Sequence, residues 1–279
     1  MWTIKQPPKI LFGRHSVKEF SFPDKCLVIS SKGARSRGWF EYAGLSNQII
    51  FDNVESNPSI ETTEKIISKF KNLDFSHIVG IGGGSSMDVA KYCAFKMNKL
   101  KIMIHTTFGS GSELTRISVL KINGKKKSFH DDGIFADIAI IDSYFIENSD
   151  DEIIKNSLID ACAQCTEAFD SKIANPYTKF LCNAAFDLLE EGFLTNNHEK
   201  IVIGSLFDGL GFGNSSTTLG HALSYVFSNE GISHGHALAF TTTVAHKFNN
   251  SQFYERFKFL VEKLNFTPIQ LHQDLNEAV

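Results

Sequence analysis

The sequence predicts a parallel α/β sheet unit followed by an all-helical one. In the first half, short apolar runs alternate with polar stretches of helical period. A glycine-rich segment lies where one of those runs passes into a helix, and beyond about Asp142 the strand-like runs cease. Alternation at this spacing connects parallel strands through helices that cover both faces of the sheet. A chain of 279 residues, 42% of them hydrophobic, has ample core without a staple.

The strands are expected at Cys26–Ser31, Gln48–Phe51, His77–Ile81, Ile102–His105 and Ile138–Asp142, with helices at Ile60–Lys71 and Ser85–Met97. Residues 116–135 are β-rich around Asn123-Gly124, a strong hairpin signal, and this hairpin is expected at the edge of the sheet. Ser143–Asp150 combines a polar linker with helix-start chemistry. It divides a first domain, residues 1–145, from a helical second domain, residues 146–279. The last two helices are expected at Gln252–Leu264 and Pro268–Ala278.

The net charge of −3 is a poor match to proteins that hold nucleic acid or an anionic membrane through a basic excess. No apolar run is long enough to span a bilayer, and no signal-like segment follows Met1. Five cysteines in no regular framework suit a reducing compartment, so a cytoplasmic location is expected.

Gly80-Ile81-Gly82-Gly83-Gly84-Ser85-Ser86-Met87-Asp88-Val89-Ala90-Lys91 follows a strand and opens a helix. Glycines there admit a ligand close to the backbone, and the unpaired N–H groups of a first helical turn suit a pyrophosphate. No Gly-Lys-Ser/Thr follows, so the phosphate-loop reading fails. The consecutive glycines also depart from the strict dinucleotide fingerprint.

This segment resembles the signature of the iron-containing (group III) alcohol dehydrogenases. Other segments match that family in order: Lys9–Gly13, Asn57-Pro58, the loop Thr106-Thr107-Phe108-Gly109-Ser110-Gly111-Ser112-Glu113, Asp160–Glu167 and His221–Gly235. The resemblance implies a Rossmann-like dinucleotide domain, a helical domain of the dehydroquinate synthase type, and NAD(P)-dependent alcohol/aldehyde interconversion in the cleft. By the same implication Gly83, Gly84, Ser85 and Asp88 meet the cofactor, Thr106, Thr107 and Ser110 line the opposite wall, and Asn57 and Lys127 add contacts. Ser31 stands where NAD-preferring members tend to carry Asp. With Lys32 and Arg35 nearby, this tilts the expectation toward NADP(H) over NAD(H).

On a helix starting near Asp151, Asp160, Gln164 and Glu167 share one face, and Cys162 and Cys165 lie opposite. In the family one Asp and three His bind Fe²⁺ or Zn²⁺. Asp160, His221 and His234 carry over as ligands, and the remaining position is Gln164, whose amide oxygen is a poorer partner than imidazole for a borderline metal. Three strong ligands and a weak fourth still leave a position open for substrate oxygen.

His236 and Tyr225 are the expected catalytic groups beside that centre. His15, His77, His130, His198, His246 and His272 are read as ordinary core or surface histidines, and His105 as structural or at a pocket edge. His221–Tyr225 with Gly231–Ala237 looks most like the branch that reduces phosphonoacetaldehyde to 2-hydroxyethylphosphonate, with Arg116, His236 and Lys247 as candidates for the phosphonate. Other small alcohols, diols and lactaldehyde stay open, as does a relative that only binds nucleotide. The short stretch Phe193–Lys200 replaces a longer helical segment usual in the family, and a homodimer is expected to cover apolar surface left by that shortening.

Overall fold

A computed structural model describes residues 1–147 and 149–270. Two compact units emerge. One comprises Gln6–Thr107 and Ser112–Asn148, and the other Ser149–Val279 together with Met1–Lys5 and Phe108–Gly111. The boundary near residue 148 lies in the expected linker, but two short segments of the first half pack with the helical unit.

The first unit holds six parallel strands in the order β1-β8-β5-β4-β2-β3: β1 Lys9–Phe12, β2 Cys26–Ile29, β3 Ile49–Phe51, β4 His77–Gly82, β5 Leu100–His105 and β8 Ile138–Ile141. Successive β2 side chains go to opposite faces, as strand pleating requires. Leu27 and Ile29 enter a core with Ile66, Phe70 and Met87 from α3 (Ile60–Phe70) and α4 (Gly84–Met97). Cys26 and Val28 enter a second core with Ala34 of α1 (Lys32–Ser36), Phe40 of α2 (Trp39–Tyr42) and Phe145 of α5 (Tyr144–Glu147). Burial on both faces explains why these strands read as unbroken apolar runs.

The chain runs from β2 to β3 on one side and then to β4 and β5 on the other. The β2/β4 boundary is therefore a topological switch, where open α/β sheets bind ligands beyond their strand ends. The turn from β4 to α4 opens there.

The hairpin corrects one expectation. β6 (Ile117–Ile122) and β7 (Lys125–His130) form a separate two-stranded sheet and do not extend the main one. Asn123 and Gly124, at φ 51° and 79°, make the predicted turn. The hairpin is drawn onto α4, where Leu120 joins the α3/α4 core and Ser118 donates to the Asp88 carbonyl at 2.9 Å.

In the second unit α6 (Asp151–Asp170) contacts α7 (Pro176–Leu194), α8 (His198–Phe212) and α10 (His234–Asn249), and α10 pairs with α9 (Leu219–Asn229). α7 and α8 are joined through Thr195–Asn197 and pack closely because α8 presents glycine. A Cβ at Gly204 would lie 2.8 Å from Leu189, and one at Gly211 2.7 Å from the Cys182 sulfur. The final described helix is α11 (Tyr254–Leu264). Of the expected Pro268–Ala278 helix, residues 268–270 have no regular structure, and the remainder, with His272, lies outside the described residues. Among the described residues no helix is long and apolar enough to cross a membrane.

All five cysteines are free and buried, Cys162 and Cys165 among them. Burial pushes the Cys26 thiol up to about 11 and the Cys162 and Cys165 thiols well above their usual value, so the C-x-x-C spacing is a packing feature.

Candidate cofactor and metal sites

The glycine turn is shaped by its neighbours. Gly82 has φ +151°, a conformation L side chains rarely adopt, and a Cβ there would lie 2.7 Å from the Ser86 hydroxyl. Gly83 precedes the first turn of α4, and a Cβ on it would lie 3.0 Å from the Thr107 hydroxyl. Thr107 therefore faces the turn directly. Asn57, left-handed at φ 51°, donates its N–H to Ser85 Oγ at 3.3 Å, which brings the Asn-Pro turn to the same place. At the adjoining end of β2, the Ser30 hydroxyl donates to the Ile81 carbonyl at 2.5 Å, and Ser31 immediately precedes α1 without a side-chain hydrogen bond to its first turn. Gly83, Gly84 and Ser85 thus open a helix at the sheet's switch point, with the free first-turn amides that hold an anion.

Several expected contacts stand elsewhere. Asp88 is buried, and its carboxylate is committed. It accepts from Ser112 Oγ at 2.6 Å and from Val119 N at 3.0 Å, with Lys91 Nζ at 3.6 Å. It anchors the threonine loop and the hairpin to α4 and offers little to a cofactor. Burial pushes its carboxyl up and the Lys91 ammonium down, while their opposite charges oppose both shifts. Lys91, fully buried, also donates to the Ser112, Thr115 and Ile117 carbonyls. The spacing Asp88–Lys91 on an otherwise buried helix was its only sequence signal.

Thr106 is buried and its hydroxyl has no hydrogen-bond partner. Beside it, His105 Nδ1 pairs with Glu113 Oε1 at 3.1 Å, and both side chains are fully buried. Ser110 belongs with the helical unit, in the segment whose Phe108 carbonyl accepts from Ser205 and whose Gly109 abuts the Ser157 backbone. Lys127 is exposed on β7, opposite Leu120. Arg35 pairs with Asp52 at 2.7 Å, so one of the two cations expected to attract a 2′-phosphate already has a carboxylate. Arg116 likewise pairs with Asp132 at 3.0 Å, and Lys247 is exposed in the last turn of α10.

In the helical unit, Asp160, His221 and His234 come together with one ligand atom from each within 4.8 Å of the others. Asp160 Oδ1 lies 3.6 Å from His221 Nε2 and 3.7 Å from His234 Nε2. Three elements build the cluster: Asp160 comes from α6, His221 from the first turn of α9, and His234 is the first residue of α10. Gly220 lets α9 approach, since a Cβ there would lie 2.5 Å from the Thr242 hydroxyl of α10.

Glu167, two turns along α6 from Asp160, orients the set. Its carboxylate accepts from Gly220 N at 2.5 Å, from His221 N at 3.2 Å and from the Thr218 hydroxyl at 2.9 Å, and it pairs with His221 Nδ1 at 2.5 Å. Burial alone would raise its carboxyl, but the His221 ring and these donors hold it down at about 2. For His221 burial alone would lower the imidazole, yet Asp160 and Glu167 raise it to about 9. With the Nδ1 proton held by Glu167, Nε2 toward Asp160 is the nitrogen a cation would take in exchange for its proton, the second-sphere arrangement that metal-binding histidines use.

Two buried atoms at this place have no hydrogen-bond partner, His221 Nε2 and Gln164 Oε1. Both are atoms that can ligate a cation, and one carboxylate, two imidazoles and an amide oxygen fit a divalent first-row metal.

The expected catalytic pair divides. Tyr225 lies beside the cluster, its ring parallel to that of His234 at 6.2 Å. His236 does not join it. Two residues along a helix is more than half a turn around, and its Nε2 meets the Thr267 carbonyl at 2.6 Å while its ring packs 5.1 Å from Phe266.

The description "Iron-containing alcohol dehydrogenase" matches residues 7–143, and "Fe-containing alcohol dehydrogenase family, C-terminal" matches residues 154–279. The chain belongs to the iron-containing alcohol dehydrogenase family. Among relatives in that family, a 4-hydroxybutyrate dehydrogenase of Clostridium kluyveri is 33% identical over 64% of this chain and 56% of its own length. A long-chain-alcohol dehydrogenase of Geobacillus thermodenitrificans is 30% identical over 68% of this chain and 56% of its own. The chain thus spans little more than half the length of these relatives. An iron-containing alcohol dehydrogenase structure from Thermotoga maritima superposes with a TM-score of 0.86 at 22% identity, covering 99% of this chain and 90% of that one, and shows the fold: a Rossmann-like unit followed by an all-α one.

Proposed function

We propose that this protein reduces a small aldehyde to its primary alcohol with NADPH or NADH, and that the aldehyde carries an anionic end, with phosphonoacetaldehyde the foremost candidate. The observation that carries the reading is the convergence of Asp160, His221 and His234, with His221 Nε2 and, on neighbouring Gln164, Oε1 buried without a hydrogen-bond partner. Its anionic substrate is supported by the His221–Tyr225 and Gly231–Ala237 segments and by a relative named for 4-hydroxybutyrate.

When bound, a reduced nicotinamide supplies the hydride, and a divalent ion supplies Lewis-acid polarisation of the carbonyl. The chain's part is to seat and orient them. The amides of Gly83, Gly84 and Ser85 take the pyrophosphate, and the Thr107 hydroxyl stands against Gly83. Asp160, Gln164, His221 and His234 hold the cation, with Glu167 keeping the His221 Nδ1 proton. Reduction consumes one hydride on carbon and one proton on oxygen, and the hydroxyl of Tyr225, whose ring lies 6.2 Å from that of His234, is the group assigned to deliver that proton, a step worth roughly 10²–10⁴-fold. His236 is left out of this step, since its ring is engaged by Thr267 and Phe266. A homodimer and the domain division at residues 145/146 belong to the same proposal.

The test is loss of reduced-nicotinamide absorbance by the full chain with phosphonoacetaldehyde, succinic semialdehyde and butanal, each with and without added Fe²⁺ or Zn²⁺. The expected result is metal-dependent turnover, fastest with phosphonoacetaldehyde, that His234→Ala abolishes while nucleotide affinity stays nearly unchanged. Nucleotide binding without turnover of any aldehyde would establish instead a relative that only binds nucleotide.

A further inference from the structure

Gln164 sits one turn along α6 from Asp160 and is buried. Its Nε2 donates to Asp160 Oδ1 at 2.9 Å, the same oxygen that faces both histidines. Its Oε1 is buried with no hydrogen-bond partner. A carboxamide half satisfied in this way forfeits the hydration of its acceptor and gains nothing in return. A half-turn about the Cγ–Cδ bond exchanges the oxygen and nitrogen of the amide without changing its shape. In the exchanged orientation Oε1 lies beside Asp160 Oδ1, where two acceptors repel each other unless a cation lies against both.

We propose that Gln164 binds the cation through Oε1 after this half-turn, making a centre of two nitrogens and two oxygens that discriminates zinc from manganese less than a three-imidazole centre does. The inference rests on the reading that Asp160, His221 and His234 hold a divalent ion. Its physical basis is ligand chemistry. Imidazole favours the later first-row metals, whereas carboxylate and carbonyl oxygens suit manganese, so each nitrogen replaced by oxygen narrows the preference for zinc. If Gln164 were only a helical hydrogen-bond neighbour of Asp160, substituting it would leave metal selectivity unmoved.

The experiment strips the full-length protein with a chelator and measures Zn²⁺ and Mn²⁺ dissociation constants separately by competition with an indicator. Circular dichroism verifies that each variant is folded. Gln164→His should tighten zinc by roughly tenfold or more and manganese by less than about threefold. Gln164→Glu keeps an oxygen donor, so its zinc-to-manganese ratio should stay within about threefold of the wild type. Gln164→Ala should weaken both metals. The proposal is overturned if Gln164→His moves both metals equally or neither, or if Gln164→Ala binds both as tightly as the wild type. Asp160→Ala separates the two levels. If it loses both metals while the Gln164 series leaves the ratio unchanged, the inference alone fails. If the wild type binds neither metal, or Asp160→Ala binds both as well as the wild type, the metal centre fails and the inference with it.

Discussion

The Glu167 carboxylate meets the His221 ring at Nδ1, 2.5 Å away, and also takes the backbone N–H groups of Gly220 and His221. One side chain on α6 thus caps the start of α9 and fixes which imidazole nitrogen faces Asp160.

From this relationship Glu167→Gln is expected to lower zinc affinity by roughly 10–100-fold, the usual cost of losing an outer-sphere carboxylate. A glutamine oxygen still accepts one hydrogen bond, so the helices should persist. Zinc titration of the metal-stripped variant, with its far-ultraviolet circular dichroism as control, checks both halves of the expectation.

Gly82→Ala places a Cβ 2.7 Å from the Ser86 hydroxyl at a backbone φ of +151°. Stability should fall by about 1–3 kcal/mol, and nucleotide affinity should fall with it as the turn shifts. Urea denaturation and a nucleotide titration read the two effects, and an unchanged affinity would count against the turn as the phosphate seat.

Lys91→Met removes a buried cation from between Asp88 and three backbone carbonyls. The Asp88 carboxylate then remains buried without its counter-charge, at a cost of about 3–5 kcal/mol. Paired Asp88→Asn, Lys91→Met protein should recover part of that loss. Thermal unfolding of the single and double variants measures the coupling.

His246 is buried, with Nε2 2.8 Å from the Thr166 hydroxyl, and burial lowers its pKa against the opposing charges of Glu167 and Asp170. The imidazole is therefore neutral in the fold but takes a proton near pH 6.5 when unfolded. Its contribution is present above that pH and declines as the pH falls through the lowered value. His246→Gln should be less stable than wild type at pH 7.5, by about 1 kcal/mol for the lost hydrogen bond. It should also lose less stability than wild type between pH 6.5 and 5, which denaturation curves across that range would show.

Local chemistry made several features readable along the chain. The Asn123-Gly124 turn needs only two residues tolerant of positive φ, and both adopt it. The β4–α4 junction is equally local at Gly82, where a φ of +151° and the Ser86 hydroxyl four residues on both call for glycine. The face shared by Asp160, Gln164 and Glu167 follows from helical period alone.

Other features depend on contacts between residues far apart in sequence, and no local pattern encodes those. Strand alternation could not say that the hairpin would leave the sheet for α4, because that follows from Leu120 finding a core and Asp88 finding Val119. The same contact turns Asp88 from an expected cofactor partner into an anchor. His236 shares a short motif with His234, yet the helix sends the two rings to different neighbours. The residue types and their periods were thus determined by the chain itself. Which buried charges would meet, and which buried polar atoms would be left without a hydrogen-bond partner, was decided only when the helices closed around them.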